Sequence, residues 1–227
     1  MSARKPGLTF FDMNLYLIHI LIFSTSMFIL YKVYFFDLEI IKRTLFSLLV
    51  FNNVSFYIIL LLTNKFNLEH HLPLHLCYIT EIFLLISFLF GSIKIYPWLA
   101  LNSMLGGIVG FLSTNLTSSS LFIEIFHYYL SHFSLLLFTL LIFKSKFYIT
   151  IKHLLKSILA NVLILNFIII YNIQNGSNYW FTNHKPSGFN FSFLFPDWPH
   201  YILILIALGL SSYCLTFFLL INNKPKQ

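Results

Sequence analysis

Seven apolar runs follow one another along the chain, at about 14–35, 44–63, 74–93, 96–113, 119–143, 154–174 and 199–221. A hydrocarbon core of ~30 Å needs ~20 helical residues to cross it. Lipid offers no partner to a bare backbone, so such runs fold as helices; no alternating barrel strands are present. The expected fold is all-α: a polytopic membrane protein, a bundle of about seven transmembrane helices forming one domain over residues 1–227. Composition excludes the alternatives. Only 9% of the 227 residues are charged and 58% are hydrophobic, against about 25% charged in an ordinary soluble domain. Such a chain cannot cover a water-facing surface, and disorder needs the opposite composition.

The net charge of +7 lies mostly in the gaps between apolar runs, which marks topology signals and anionic-lipid contacts rather than a nucleic-acid surface. In a seven-span arrangement Arg4, Lys5, Lys65 and Lys185 fall on the N-terminal side, four in all. Lys32, Lys42, Arg43, Lys94, Lys144, Lys146, Lys152, Lys156, Lys224 and Lys226 make ten on the other side. The positive-inside rule then predicts a cell-membrane protein with the N-terminus outside and the C-terminus cytoplasmic. The first run is too long for a signal-peptide core and lacks a small-residue cleavage site, so it is expected to stay as a span. The fourth run carries Asn102, Ser103, Gly106, Gly107 and Gly110, which suits a helix packed closely against neighbours. The 175–198 connection, rich in Tyr, Trp and Phe, suits an interfacial belt or a loop folded back onto the bundle.

Polar groups inside spans are costly and mark candidate sites. The third span opens HHLPLHLCYITEIF. Pro73 is acceptable in a first helical turn, placing Cys77 about one turn into the helix. The positive end of the helix dipole there favours a thiolate. Glu81 follows four residues later on the same face. The fifth span reads LFIEIFHYYLSHFSLLLF, and its His132 lies about 16–20 Å along the helix from the outer end. Tyr128 and Glu124 share its broad side, whereas His127 points ~140° away. A Cys on one helix and a His on another can form a nucleophile–base pair, with Glu81, Glu124 or Tyr128 orienting the imidazole. Asn102, Tyr128 or Ser131 are candidate hydrogen-bond donors to an oxyanion.

Other chemistries have less support. No HExxH, CxxC, Walker loop or GxGxxG is present, and Cys77 and Cys214 give no disulfide framework. His70, His71 and His75 are possible metal ligands that more often simply meet water, and a haem between His75 and His132 is a minor alternative. No cofactor is expected. A small-solute carrier, or a non-enzymatic assembly partner, is the alternative of a different class. A carrier would use Glu81, His132 and Asn102 to line a polar pathway.

The elements LPLHLC at Leu72–Cys77, SH at Ser131–His132, Asn178–Tyr179, Lys185–Pro186 and Trp198–Pro199 with Tyr201 occur in this order. Together they resemble the YwaF-like family of bacterial integral membrane proteins. That family is similar to eukaryotic TMEM164-type transmembrane phospholipid acyltransferases, and more distantly to membrane lipid hydrolases that use Thr and His. The resemblance implies a nucleophile at Cys77 and a base at His132, with His75, Asn178, Tyr179 and Lys185 as motif positions near the site. It implies fatty-acyl transfer from a membrane phospholipid to a lysolipid-like acceptor, with lipid hydrolysis as the variant in which water takes the acyl group. The chain departs from the pattern at Tyr78, directly after the motif Cys, and in its short external loops. Oligomeric state and the identities of donor and acceptor are not encoded in these motifs.

Overall fold

A computed structural model describes residues 10–223 except 118, 188 and 189, so Arg4, Lys5, Lys224 and Lys226 lie outside the described residues. Seven α-helices make up the fold: α1 Phe10–Val33, α2 Leu38–Leu62, α3 Leu76–Leu89, α4 Tyr96–Leu112, α5 Phe122–Lys144, α6 Ile151–Asn175 and α7 His200–Ile221. Two short 3-10 turns, Tyr179–Phe181 and Phe191–Leu194, interrupt the α6–α7 connection, and no strand occurs among the described residues. Helices α2, α5, α6 and α7 are each long and apolar enough to cross a bilayer. Their outward faces carry large apolar side chains such as Leu62, Leu163, Leu203 and Phe218, as a lipid-facing surface should. The fold is that of a polytopic helical membrane protein.

Sequence sets the ends of these helices. Pro97 lies within the first two positions of α4, where its missing N–H costs nothing. Gly91, at φ 61°, closes α3: the Ser92 N–H reaches the Ser87 carbonyl and the Gly91 N–H that of Phe88. Asn64 and Lys146 end α2 and α5 with the same double bond, and Gly176 ends α6 in the left-handed region.

Helix α5 is the axis of the bundle, with buried residues on most of its circumference, and it packs most extensively on α4 and α2. The helix ends show the alternation directly. Lys144 Nζ donates to the Tyr34 and Phe36 carbonyls, joining the end of α5 to the α1–α2 turn. Asn223 donates to Phe147 O, bringing the end of α7 to the same side. Among described residues this end holds Lys32, Lys42, Arg43, Lys94, Lys144, Lys146, Lys152 and Lys156; Lys65 and Lys185 lie at the opposite end.

Helix α3 departs from expectation. It has 14 residues rather than a run over 74–93, so it is about 21 Å long, short of the ~30 Å core. Pro73 is not in its first turn. The chain stays extended at His75, and Cys77 is the second helical residue. The 175–198 segment folds back onto the bundle. Tyr179 OH donates to Leu68 O and accepts from Leu72 N–H, Trp180 Nε1 donates to Leu74 O, and Trp198 Nε1 donates to Thr182 O.

Candidate active site

A cavity of about 870 Å³ enters the bundle from the end where α2, α4 and α6 finish and α3, α5 and α7 begin. Its walls come from the start of α3, the last two turns of α4, the first half of α5, the upper part of α7 and the folded-back loop. Polar groups, including Glu69, His70, Glu124 and Lys185, line it together with apolar residues such as Val109, Leu205 and Leu208. Val109 and Leu208 are more than half exposed on the outer face of the bundle. The cavity therefore has both a polar lining and lipid-facing apolar walls.

Cys77 and His132 both line this cavity, from α3 and α5, and α4 holds them together. His132 Nδ1 lies 3.1 Å from the Gly106 carbonyl oxygen. A carbonyl only accepts, so Nδ1 carries the proton and donates, which leaves Nε2 with its lone pair. Nε2 has no hydrogen-bond partner among the described residues and is not sealed from the cavity. A Cβ added to the same glycine would lie 3.8 Å from Cys77 Sγ. The His132 ring lies against Gly110, where any Cβ would collide with it, and the Tyr128 ring packs on it at 4.5 Å between centroids. The glycines of α4 thus border both the thiol and the imidazole. The two are not hydrogen-bonded to each other.

The residues expected to orient or assist them are distributed differently. Glu81 and Ser131 sit below the cavity in a buried knot with Asn52. Ser131 Oγ donates to one Glu81 carboxylate oxygen at 2.5 Å, and Asn52 Nδ2 donates to the other and to Ser131 Oγ, both at 2.9 Å. This knot ties α2, α3 and α5. Glu124 accepts from His71 Nε2 at 2.9 Å and from the Leu121 amide at 2.6 Å. Because His71 Nδ1 accepts from the Asn67 N–H, the proton of that ring is on Nε2. Tyr128 OH donates to the Gly110 carbonyl at 2.6 Å and is also near that of Ser113. Asn102 faces away, accepting from Asn161 and Tyr213 in a network that joins α4, α6 and α7. Glu81 and Asn102 do not line the cavity, so they form no continuous polar pathway with His132.

The motif positions of the loop converge on the mouth. Lys185 pairs with Asp197 at 2.9 Å and donates to Phe195 O. Asn178 braces the turn, donating to His184 O and accepting from the Asn183 N–H. Burial holds the Tyr179 phenol up to about 12. His75 packs on Tyr179 and Phe181, and its Nδ1 faces the Trp180 N–H at 3.4 Å. Trp180 and Phe181 both take positive φ, 56° and 54°, conformations that a bulky residue holds only when its surroundings enforce them.

The model of the TMEM164 family matches residues 9–220. The chain belongs to the TMEM164 family. No curated protein and no solved structure matches it.

In this family member some site residues escape sequence reasoning. His127, ~140° around α5 from His132, nevertheless lines the same cavity, because the cavity wraps α5 rather than facing one stripe of it. Its ring stacks on Phe56 at 3.9 Å, and its buried Nδ1 has no partner among the described residues. Asn52, mid-span in α2, carried the same mark of a buried polar residue that singled out Glu81. Among the described residues no three His, Cys, Asp or Glu side chains come together to hold a metal ion.

Proposed function

We propose that this member of the TMEM164 family is a membrane-embedded lipid acyltransferase with Cys77 as nucleophile and His132 as general base and acid. The supporting observation is that Cys77 and an unpartnered His132 Nε2 line one cavity with both polar and lipid-facing walls, and that both residues lie against Gly106. His132 Nε2 takes the thiol proton. The sulfur lone pair forms a C–S bond to the ester carbonyl of a phospholipid, and the carbonyl electron pair moves to oxygen. Collapse breaks the bond to the glycerol oxygen, which leaves with the proton from His132. A lysolipid-like hydroxyl then repeats the sequence in reverse on the acyl-enzyme. The Gly106 carbonyl fixes the tautomer and supports the imidazolium. The eight described basic residues at the α5 C-terminal end and the two at the cavity end favour a cell-membrane orientation with the cavity toward the outer leaflet.

The test uses purified protein in lipid nanodiscs, a phospholipid with one labelled acyl chain and a lysolipid acceptor. A new labelled diacyl product is expected, with transfer abolished in Cys77→Ala and His132→Ala while helix content stays unchanged. Full activity in both variants overturns the catalytic pair. Labelled free fatty acid without the diacyl product makes the protein a lipid hydrolase instead.

A further inference from the structure

The first turn of α3 carries an unmet requirement. A helix leaves its first N–H groups without intrahelical acceptors, and a buried helix start needs something to satisfy them. The ladder of α3 begins with the Ile79 N–H to the His75 carbonyl. The amides of Leu76 and Tyr78 have no backbone or side-chain acceptor among the described residues, and the Cys77 N–H faces only its own sulfur. His75 occupies the capping position but does not cap: its Nδ1 faces the Trp180 N–H instead. No acidic side chain stands in the first turn. Cys77 and Tyr78 themselves line the cavity.

A second observation points to the same place. His132, only 4% exposed, presents an unpartnered Nε2 to this cavity. A bare acceptor from α5 and the uncapped start of α3 thus border one space, with the sulfur of Cys77 beside it. The side chains that sequence nominates as oxyanion donors are otherwise engaged: Tyr128 OH on Gly110, Ser131 Oγ on Glu81, and Asn102 outside the cavity.

We propose that the backbone N–H groups of Cys77 and Tyr78, at the uncapped start of α3, form the oxyanion hole of this site. The assignment rests on Cys77 acting as an acyl-accepting nucleophile. When the sulfur attacks an ester carbonyl, the C–S bond forms and the carbonyl π pair becomes an alkoxide. These amides point out of the helix end toward that oxygen, and the helix dipole adds to their field. Because they belong to the nucleophile's own turn, sulfur and donors keep a fixed relation without help from any other element. The arrangement also explains why the residue after the nucleophile can be a tyrosine: its contribution is its amide, not its side chain.

The experiment removes one N–H while keeping every side chain. Tyr78 is replaced by its α-hydroxy acid, which turns the Cys77–Tyr78 peptide bond into an ester while keeping the ring; the same exchange at Ile79, whose N–H already donates to the His75 carbonyl, controls for an ester in this turn. Two rates are read on Cys77 by mass spectrometry. One is acylation by p-nitrophenyl palmitate, which passes through an oxyanion. The other is alkylation by iodoacetamide, a displacement that forms none. Acylation is expected to fall about 100-fold with alkylation unchanged, and the Ile79 ester should acylate within a few-fold of the parent. Unchanged acylation overturns the proposal. So does a parallel loss of both rates, which makes the amide merely structural. If the parent protein shows no preference for acylation over alkylation relative to free cysteine, the oxyanion hole is absent. These rates do not depend on a lipid acceptor, so failure of phospholipid transfer alone strikes the proposed function and leaves this assignment standing.

Discussion

The His132 imidazole donates through Nδ1 to the carbonyl oxygen of Gly106, at 3.1 Å, across the α5–α4 interface. A backbone carbonyl thus holds the proton of this ring, and among the described residues neither Glu81 nor Glu124, the acidic residues sequence nominates for that role, hydrogen-bonds to it.

The glycines of α4 therefore differ in consequence. At Gly110 any Cβ collides with the His132 ring, whereas at Gly106 it would meet Cys77 Sγ at an ordinary 3.8 Å. Gly110→Ala is expected to push the imidazole off its carbonyl and cut transfer about 100-fold, the scale of a 1 Å misplacement. Gly106→Ala should stay within a few-fold. Turnover of the two variants, with circular dichroism to show intact helices, checks this. Equal activities would mean that the ring position is unimportant.

The Asn52–Glu81–Ser131 knot predicts a stability effect without a direct role in chemistry. Glu81→Leu leaves the Ser131 hydroxyl and the Asn52 amide without their acceptor in a buried site, which costs about 1–3 kcal/mol. Glu81→Gln keeps an acceptor and should cost less. Unfolding in mixed detergent, followed by tryptophan fluorescence, measures the difference. A Leu variant as stable as the parent would show the knot contributes nothing.

The loop clasp predicts a pH dependence. Tyr179 OH donates to Leu68 O and accepts from Leu72 N–H, so Tyr179→Phe should destabilise by about 1–3 kcal/mol at neutral pH. Burial raises the phenol from 10.0 to about 12. The folded state holds this proton more tightly than the unfolded chain. Its contribution is therefore complete below pH 10 and is lost as pH rises through about 12. Unfolding curves of parent and variant should converge across that window. A constant gap from pH 7 to pH 12 would remove Tyr179 from the clasp.

Hydropathy alone made the seven helices legible, because runs of about twenty apolar residues have one stable form in lipid. It failed at α3, where apolar content continues past both ends but Pro73 and Gly91 punctuate the backbone. Cys77 and His132 stood out as costly groups in apolar runs. Their sharing one cavity did not, since it depends on which helices touch. The glycines of α4 were read as packing residues; that they also seat a sulfur and an imidazole follows from a carbonyl direction no residue pattern encodes. Glu81 and Glu124 were plausible orienters by spacing, but Asn52 and His71, from distant parts of the chain, hold them instead.

The brevity of α3 has a last consequence. Cys77 is the second of its 14 residues, so the thiol stands at the helix tip that borders the cavity and not partway down a longer rod. One added turn ahead of Leu76 would leave the same sulfur ~5.4 Å further from that tip. Chain length before the cysteine decides whether the cavity meets a helix end or a helix flank.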